Sequence, residues 1–366
     1  MGISVKNEDP AQSPVLLPGA STLMTLEQAR KLPKIISHEH LDCSVRPSRI
    51  VEYGTALDTD IPSEFKAAWK QASGEPEAEA RVAADYQRWV QNFASGSLDN
   101  YLHAIVNHIL PVMQTQESLY QITKDRIEDA AADGIIAMKL RFAPQLHRRN
   151  GLTLQQVIDP VQRAVSEAPF PVRLIICSLR HENGRLGWHL ANAVIRNPLV
   201  SSYDLAGSET MFPGVLPWWK RQAKRVNAAG KQVTCHIGET NAITEKDLAD
   251  LDEIGCTELG HAIKGNPGRK LCTCCVTSNI VTHQVANAET HPIDEMYDDG
   301  KKVTIDIDGT TFTGTTGSGE YCLLANTFGW GNEHFLRCNL YALEHFPDDE
   351  ATLRDLEAQL RLAYQA

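Results

Sequence analysis

Short apolar segments that stop at a histidine or an aspartate recur along this chain, and their number and spacing limit its fold more than any other feature. Eight are read as strands: residues 34–40, 134–142, 172–179, 200–206, 232–236, 258–261, 270–275 and 302–307. Between several of them, segments 154–166, 186–195 and 218–229 carry apolar residues at helical spacing. Strand and helix in alternation imply a parallel sheet, and eight such units are the number that closes a (β/α)8 TIM-type barrel. A doubly wound open sheet satisfies the same alternation. The polar residues decide for the barrel. His38, His40, Asp204, His236, His261 and Asp308 each stand at or just past a strand's end, where barrel chemistry is built.

The barrel is expected over residues 25–366 as a single unit, with 1–24, mixed in Pro, Ser, Asp and Asn, as a loose N-terminal arm. From about 60 to 130 the pattern is helical and too long for an ordinary crossover. It is read as a helical insertion after the first strand that walls the pocket.

His38 and His40 are two apart on a strand, so both rings face one way. With His236 and Asp308 at two other strand ends they make three imidazoles and one carboxylate, which suits one catalytic Zn2+ per subunit with a position left for water. Glu239, three residues beyond His236 and next to Gly238, is placed to move protons between water and substrate. His261 faces the same cavity and can orient the attacking water. Asp306 and Asp308 alternate on one strand, with Asp308 nearer the mouth as ligand and Asp306 as a supporting acid.

The remaining composition mostly excludes. A formal charge of −11 opposes a general attraction to nucleic acid or anionic lipid, and no run is long and uncharged enough to span a membrane. A cytoplasmic location is the default expectation. The nine cysteines, odd in number and dispersed, read as reduced thiols, and Cys272, Cys274 and Cys275 as small side chains in a core strand.

Ser37-His38-Glu39-His40-Leu41-Asp42, Leu140-Arg141-Phe142-Ala143-Pro144, Asp204-Leu205-Ala206-Gly207-Ser208-Glu209, His236-Ile237-Gly238-Glu239, Leu259-Gly260-His261, Thr277-Ser278-Asn279, His291-Pro292 and Val303-Thr304-Ile305-Asp306-Ile307-Asp308 occur in an order that resembles the adenosine deaminase family of metal-dependent amidohydrolases. The resemblance runs from about residue 32 onward. It implies zinc on His38, His40, His236 and Asp308, protonation of a purine ring nitrogen by Glu239, and a hydroxide oriented by His261. It also implies a purine contact from the Gly207 backbone and a sugar contact from Asp42. The partner is then a small purine or related heterocycle, and the reaction releases ammonia from adenosine or a modified adenine nucleoside.

The chain departs from that pattern at Gly309, where the family carries a second aspartate that reads the imidazole edge of the purine. Thr310 or Thr311 is the expected replacement. Glu258, Ala262 and Val276 also depart from the pattern and are expected near the barrel mouth. The missing carboxylate leaves an alternative open, an amidohydrolase acting on a non-nucleoside aminated heterocycle or a cyclic amide.

Overall fold

The computed structural model describes residues 23–365; most of the expected N-terminal arm, 1–22, lies outside the described residues. Eight parallel strands follow one another around the sheet in chain order: β1 Lys34–His40, β2 Ile135–Phe142, β3 Val172–Leu179, β4 Val200–Ala206, β5 Gln232–Ile237, β6 Glu258–His261, β7 Leu271–Cys274 and β8 Val303–Ile305. A bridge between Glu39 and Asp308 joins the last unit to the first, with the His40 amide donating to the Asp308 carbonyl at 2.6 Å. The sheet therefore closes on itself, as the eightfold alternation predicts.

The strands form because Val, Ile and Leu occupy positions buried on both faces, where a parallel sheet packs side chains inside the barrel and helices outside. The interior also holds charge. Lys139 on β2 and Glu258 on β6 are ion-paired across it, and Arg141 on β2 lies 3.6 Å from Asp204 on β4. All four are buried. Glu258 is thus not a mouth residue, contrary to the sequence expectation. It opens β6 and His261 ends it, so the strand's direction puts Glu258 at the opposite end of the barrel from the chemistry.

Between β1 and β2 the chain forms helices Pro47–Ala56, Ser63–Ala72, Pro76–Ala94 and Leu98–Ala104, then a π-helical turn at Ile105–Ile109. The last helix of this stretch, Gln116–Ala132, packs on helix Leu154–Ser166 and on β2, so it is the ordinary crossover and not part of the insertion. Helix Leu98–Ala104 and the π-helical turn after it lie over the strand C-termini. Leu98, Tyr101, Leu102, His103, Ile105 and Val106 from this segment wall the cavity there.

β8 stops at Ile305, which changes the expected geometry of the two acids that follow. Asp306 turns its Oδ1 to the main-chain amides of Ser37 and His38, at 2.6 and 2.8 Å. Asp308 lies beyond the strand with φ of 66°. The two do not share a face by strand alternation. Asp306 pins β1, while the left-handed turn delivers Asp308 to the mouth.

Among the described residues no helix is long and apolar enough to cross a membrane.

Candidate active site

A cavity of about 660 Å³ opens at the C-terminal end of the barrel, and it brings together His40, His236, Glu239, His261 and Asp308 with Asp42 and Gly207. Ligand atoms of His38, His236, His261 and Asp308 all lie within 4.8 Å of one another. His40 completes the group, its Nε2 being 3.0 Å from His236 Nε2 and 3.6 Å from Asp308 Oδ1.

The imidazoles are oriented from behind. His38 Nδ1 lies 2.8 Å from Thr273 Oγ1, and that hydroxyl gives its own hydrogen to the Leu259 carbonyl at 3.1 Å. Thr273 must therefore accept from Nδ1–H, which leaves the lone pair of His38 on Nε2. That Nε2 is buried, has no hydrogen-bond partner and stands 3.6 Å from Asp308 Oδ1. His236 Nδ1 lies 2.8 Å from Asp204 Oδ2, so its Nε2 also points inward. Burial lowers the basicity of both rings, His38 well below the ordinary range and His236 to about 4. Neutral imidazoles with inward lone pairs beside a carboxylate are the donor set a divalent cation takes, and the partnerless His38 Nε2 is the atom such an ion would satisfy.

Asp308 is buried, which by itself would raise its pKa; His40 and His261 beside it and a hydrogen bond from Ser278 Oγ bring it below the usual carboxylate range. His261 accepts at Nδ1 from the Asn279 side-chain amide at 3.2 Å, leaving Nε2 toward the cavity, 3.8 Å from Glu239 Oε2. Asn279 in turn meets His291 Nε2 at 3.2 Å.

Glu239 follows a turn that only glycine makes without strain. Gly238 has φ of 74°, and a Cβ there would come within 2.8 Å of the Ile243 side chain. Glu209 holds this turn by accepting from the amides of Gly238, Glu239, Thr240 and Asn241 at 2.9 to 3.3 Å. Burial raises the Glu239 carboxyl above its ordinary value, with Asp308 and Glu209 adding to the rise and His261 opposing it. The rise favours the protonated form, from which a proton can be delivered.

Asp42 accepts from the Ala143 amide at 3.0 Å, and His147 and His40 near it outweigh burial to keep it ionised. Gly207 lines the cavity with φ of 94°.

Neither threonine expected to replace the missing carboxylate reaches the cavity. Thr311 Oγ1 is spent on Val45, donating to its carbonyl at 2.8 Å and accepting from its amide at 2.9 Å. Thr310 starts the short helix Thr310–Thr313 and is not among the residues lining the cavity. Thr273, Glu209 and Ser278 carry no signal of their own in sequence, although Glu209 and Ser278 fall within the motifs that raise the family resemblance.

A parallel barrel with histidines and an aspartate converging at its C-terminal mouth is the architecture of a barrel enzyme of the amidohydrolase type, with a donor set suited to a divalent cation. The adenosine deaminase family model matches residues 33–358, and the adenosine deaminase of Shewanella halifaxensis is 30% identical over 339 residues, covering 87% of this chain and 96% of that protein. The chain belongs to the adenosine deaminase family. Its fold is shared with the adenine deaminase of Arthrobacter aurescens, with a TM-score of 0.78 at 17% identity over 92% of this chain and 100% of that one. It is also shared with an amidohydrolase of Burkholderia ambifaria that has bound Zn, with a TM-score of 0.77 at 18% identity over 95% of each chain.

Proposed function

We propose that this chain is a zinc-dependent hydrolytic deaminase acting on an uncharged adenine derivative, a nucleoside or a modified nucleoside, with release of ammonia. The observation that carries the reading is the convergence of inward imidazole lone pairs and Asp308 opposite Glu239 and His261 in one cavity. His38, His40, His236 and Asp308 would hold one Zn2+ per chain. Bound there, zinc supplies the Lewis acid that makes water a strong nucleophile near neutral pH. Glu239 gives its proton to the ring nitrogen next to the amine-bearing carbon, which makes that carbon electrophilic. His261, whose Nδ1 accepts from Asn279, donates from Nε2–H to the oxygen of the attacking water and holds it in line. An aromatic amine leaves poorly from a neutral ring, so ring protonation and nucleophile must act together. Asp42 would hold a sugar hydroxyl, and the Gly207 backbone would contact the purine.

The lining supports an uncharged ligand over a phosphate ester. Beyond the proposed zinc ligands and proton donor it includes Asp42 and Asp99, and none of the described lining residues is a lysine or arginine. A phosphate carried into it would find no lysine or arginine to pair with. Adenosine, deoxyadenosine, N6-methyladenosine, adenine and AMP should be presented to the zinc-loaded protein and followed by ultraviolet spectra. Turnover of nucleosides but not AMP is expected, with ammonia leaving from adenosine and deoxyadenosine and methylamine from N6-methyladenosine, and Glu239→Ala should keep its zinc and lose turnover. Preferential turnover of AMP would contradict the charge argument. Turnover of free aminated heterocycles with none of any riboside would favour the non-nucleoside alternative.

A further inference from the structure

The place where the family reads the purine with a carboxylate is filled here by another residue's side chain. Gly309 has φ of −162°, extended backbone open to any residue, so its lack of a side chain is a matter of space. A Cβ on it would lie 2.4 Å from Cys43 Cβ, 2.7 Å from the Cys43 carbonyl oxygen and 2.7 Å from Tyr101 Oη. Tyr101 comes from the inserted helix Leu98–Ala104, is 3% exposed, and lines the cavity. Its ring is fixed edge-on to Phe312, with centroids 5.0 Å apart. Its hydroxyl is buried with no hydrogen-bond partner of good geometry, and the neighbouring Cys43 thiol is a weak one at best. A buried hydroxyl left unpaired is costly, and because the Tyr101 side chain borders the cavity, a ligand that packs against it can supply the partner.

We propose that Tyr101 Oη donates a hydrogen bond to the imidazole-edge nitrogen of the bound purine, taking the place that Gly309 leaves without a carboxylate. The inference rests on the purine deaminase reading above. An ionised carboxylate can only accept and must hold a proton to serve such a nitrogen, whereas a neutral phenol donates as it stands. Burial pushes the Tyr101 phenol well above its ordinary pKa, so the donor persists across the working range. The inserted segment would thus wall the pocket and also select rings that carry an acceptor on that edge.

Tyr101→Phe removes one oxygen and keeps the ring that packs on Phe312, and a thermal melt of the variant checks that the fold is intact. Steady-state kinetics should be compared for adenosine and 7-deazaadenosine, which lacks the nitrogen in question, together with the affinities of purine riboside and its 7-deaza analogue. The variant is expected to lower kcat/KM for adenosine by about tenfold to a hundredfold while moving 7-deazaadenosine by less than about twofold. Purine riboside affinity should follow adenosine. Equal losses on both substrates, no loss on either, or a wild-type protein indifferent to the nitrogen would overturn the inference while leaving deamination standing. Neither turnover nor riboside binding by the wild type would remove the deaminase reading and this inference together.

Discussion

Glu209 and Glu239 are joined through the main chain: the Glu209 carboxylate accepts from the Glu239 amide at 3.0 Å and from three amides around it. One buried side chain thus fixes the turn that aims the proposed proton donor. Glu209→Gln puts an NH2 group among N–H donors and leaves at least one of them unpaired. An orphaned buried amide costs about 1–3 kcal/mol, enough to release the turn locally. The expected result is kcat lower by about tenfold to a hundredfold, with zinc content unchanged, because the imidazoles are held from elsewhere. Full kcat in the variant would reduce Glu209 to a loop cap.

Thr273 acts on the metal through His38. Thr273→Val keeps the β-branched shape on a buried strand and removes the acceptor that sets the tautomer together with the donor to the Leu259 carbonyl. Groups that orient a ligand from behind are typically worth about 10- to 100-fold in metal affinity. Chelator competition should show zinc held more weakly by about that factor, with secondary structure intact. Equal affinity in the variant would mean that the histidine selects its tautomer without Thr273.

Much of this was legible before any coordinates. A chain that places His38 and His40 on one strand and His236, His261 and Asp308 at the ends of others discloses both the barrel and its mouth, because strand direction and side-chain alternation are local rules. Those rules fail where they are applied past an element's end. Asp306 and Asp308 alternate only as far as the strand runs, and β8 ends at Ile305. Glu258 begins its strand, so strand direction alone places it at the end of the barrel away from the mouth. Thr310 and Thr311 adjoin Gly309 in sequence, yet neither lines the cavity. Tyr101 arrives from an inserted helix with no periodic relation to the barrel, so its closeness to Gly309 exists only once the insertion has packed.

Gly309→Ala tests that packing without reference to any ligand. The new methyl meets Cys43 Cβ and the Cys43 carbonyl oxygen, which sit on the main chain and cannot swing aside as a long side chain could. Overpacking of this kind costs about 1–3 kcal/mol. The melting temperature should fall by several degrees, and Tyr101→Phe should recover only part of the loss, since it relieves just one of the contacts. A Gly309→Ala protein as stable as the wild type would show that the 43–44 segment gives way freely.

Glu320 supplies a pH dependence of stability that the active site does not share. It is fully buried in helix Gly317–Phe328; one carboxyl oxygen accepts from the Thr277 amide at 3.3 Å and the other has no partner. Burial raises its pKa from 4.5 to about 7. In the unfolded chain the group loses its proton near pH 4.5, while the folded chain keeps it until about pH 7. The folded state therefore binds more protons between those values, so stability falls as pH rises through that window and levels off above it. Glu320→Gln mimics the protonated acid and has nothing to lose. The stability of the variant relative to wild type should rise by about 2–3 kcal/mol between pH 4.5 and pH 8, a difference in which all other titrating groups cancel. Urea midpoints of the two proteins across that range measure it. Parallel curves would mean that Glu320 ionises in the folded chain as readily as in water, with its unpaired oxygen reached by solvent.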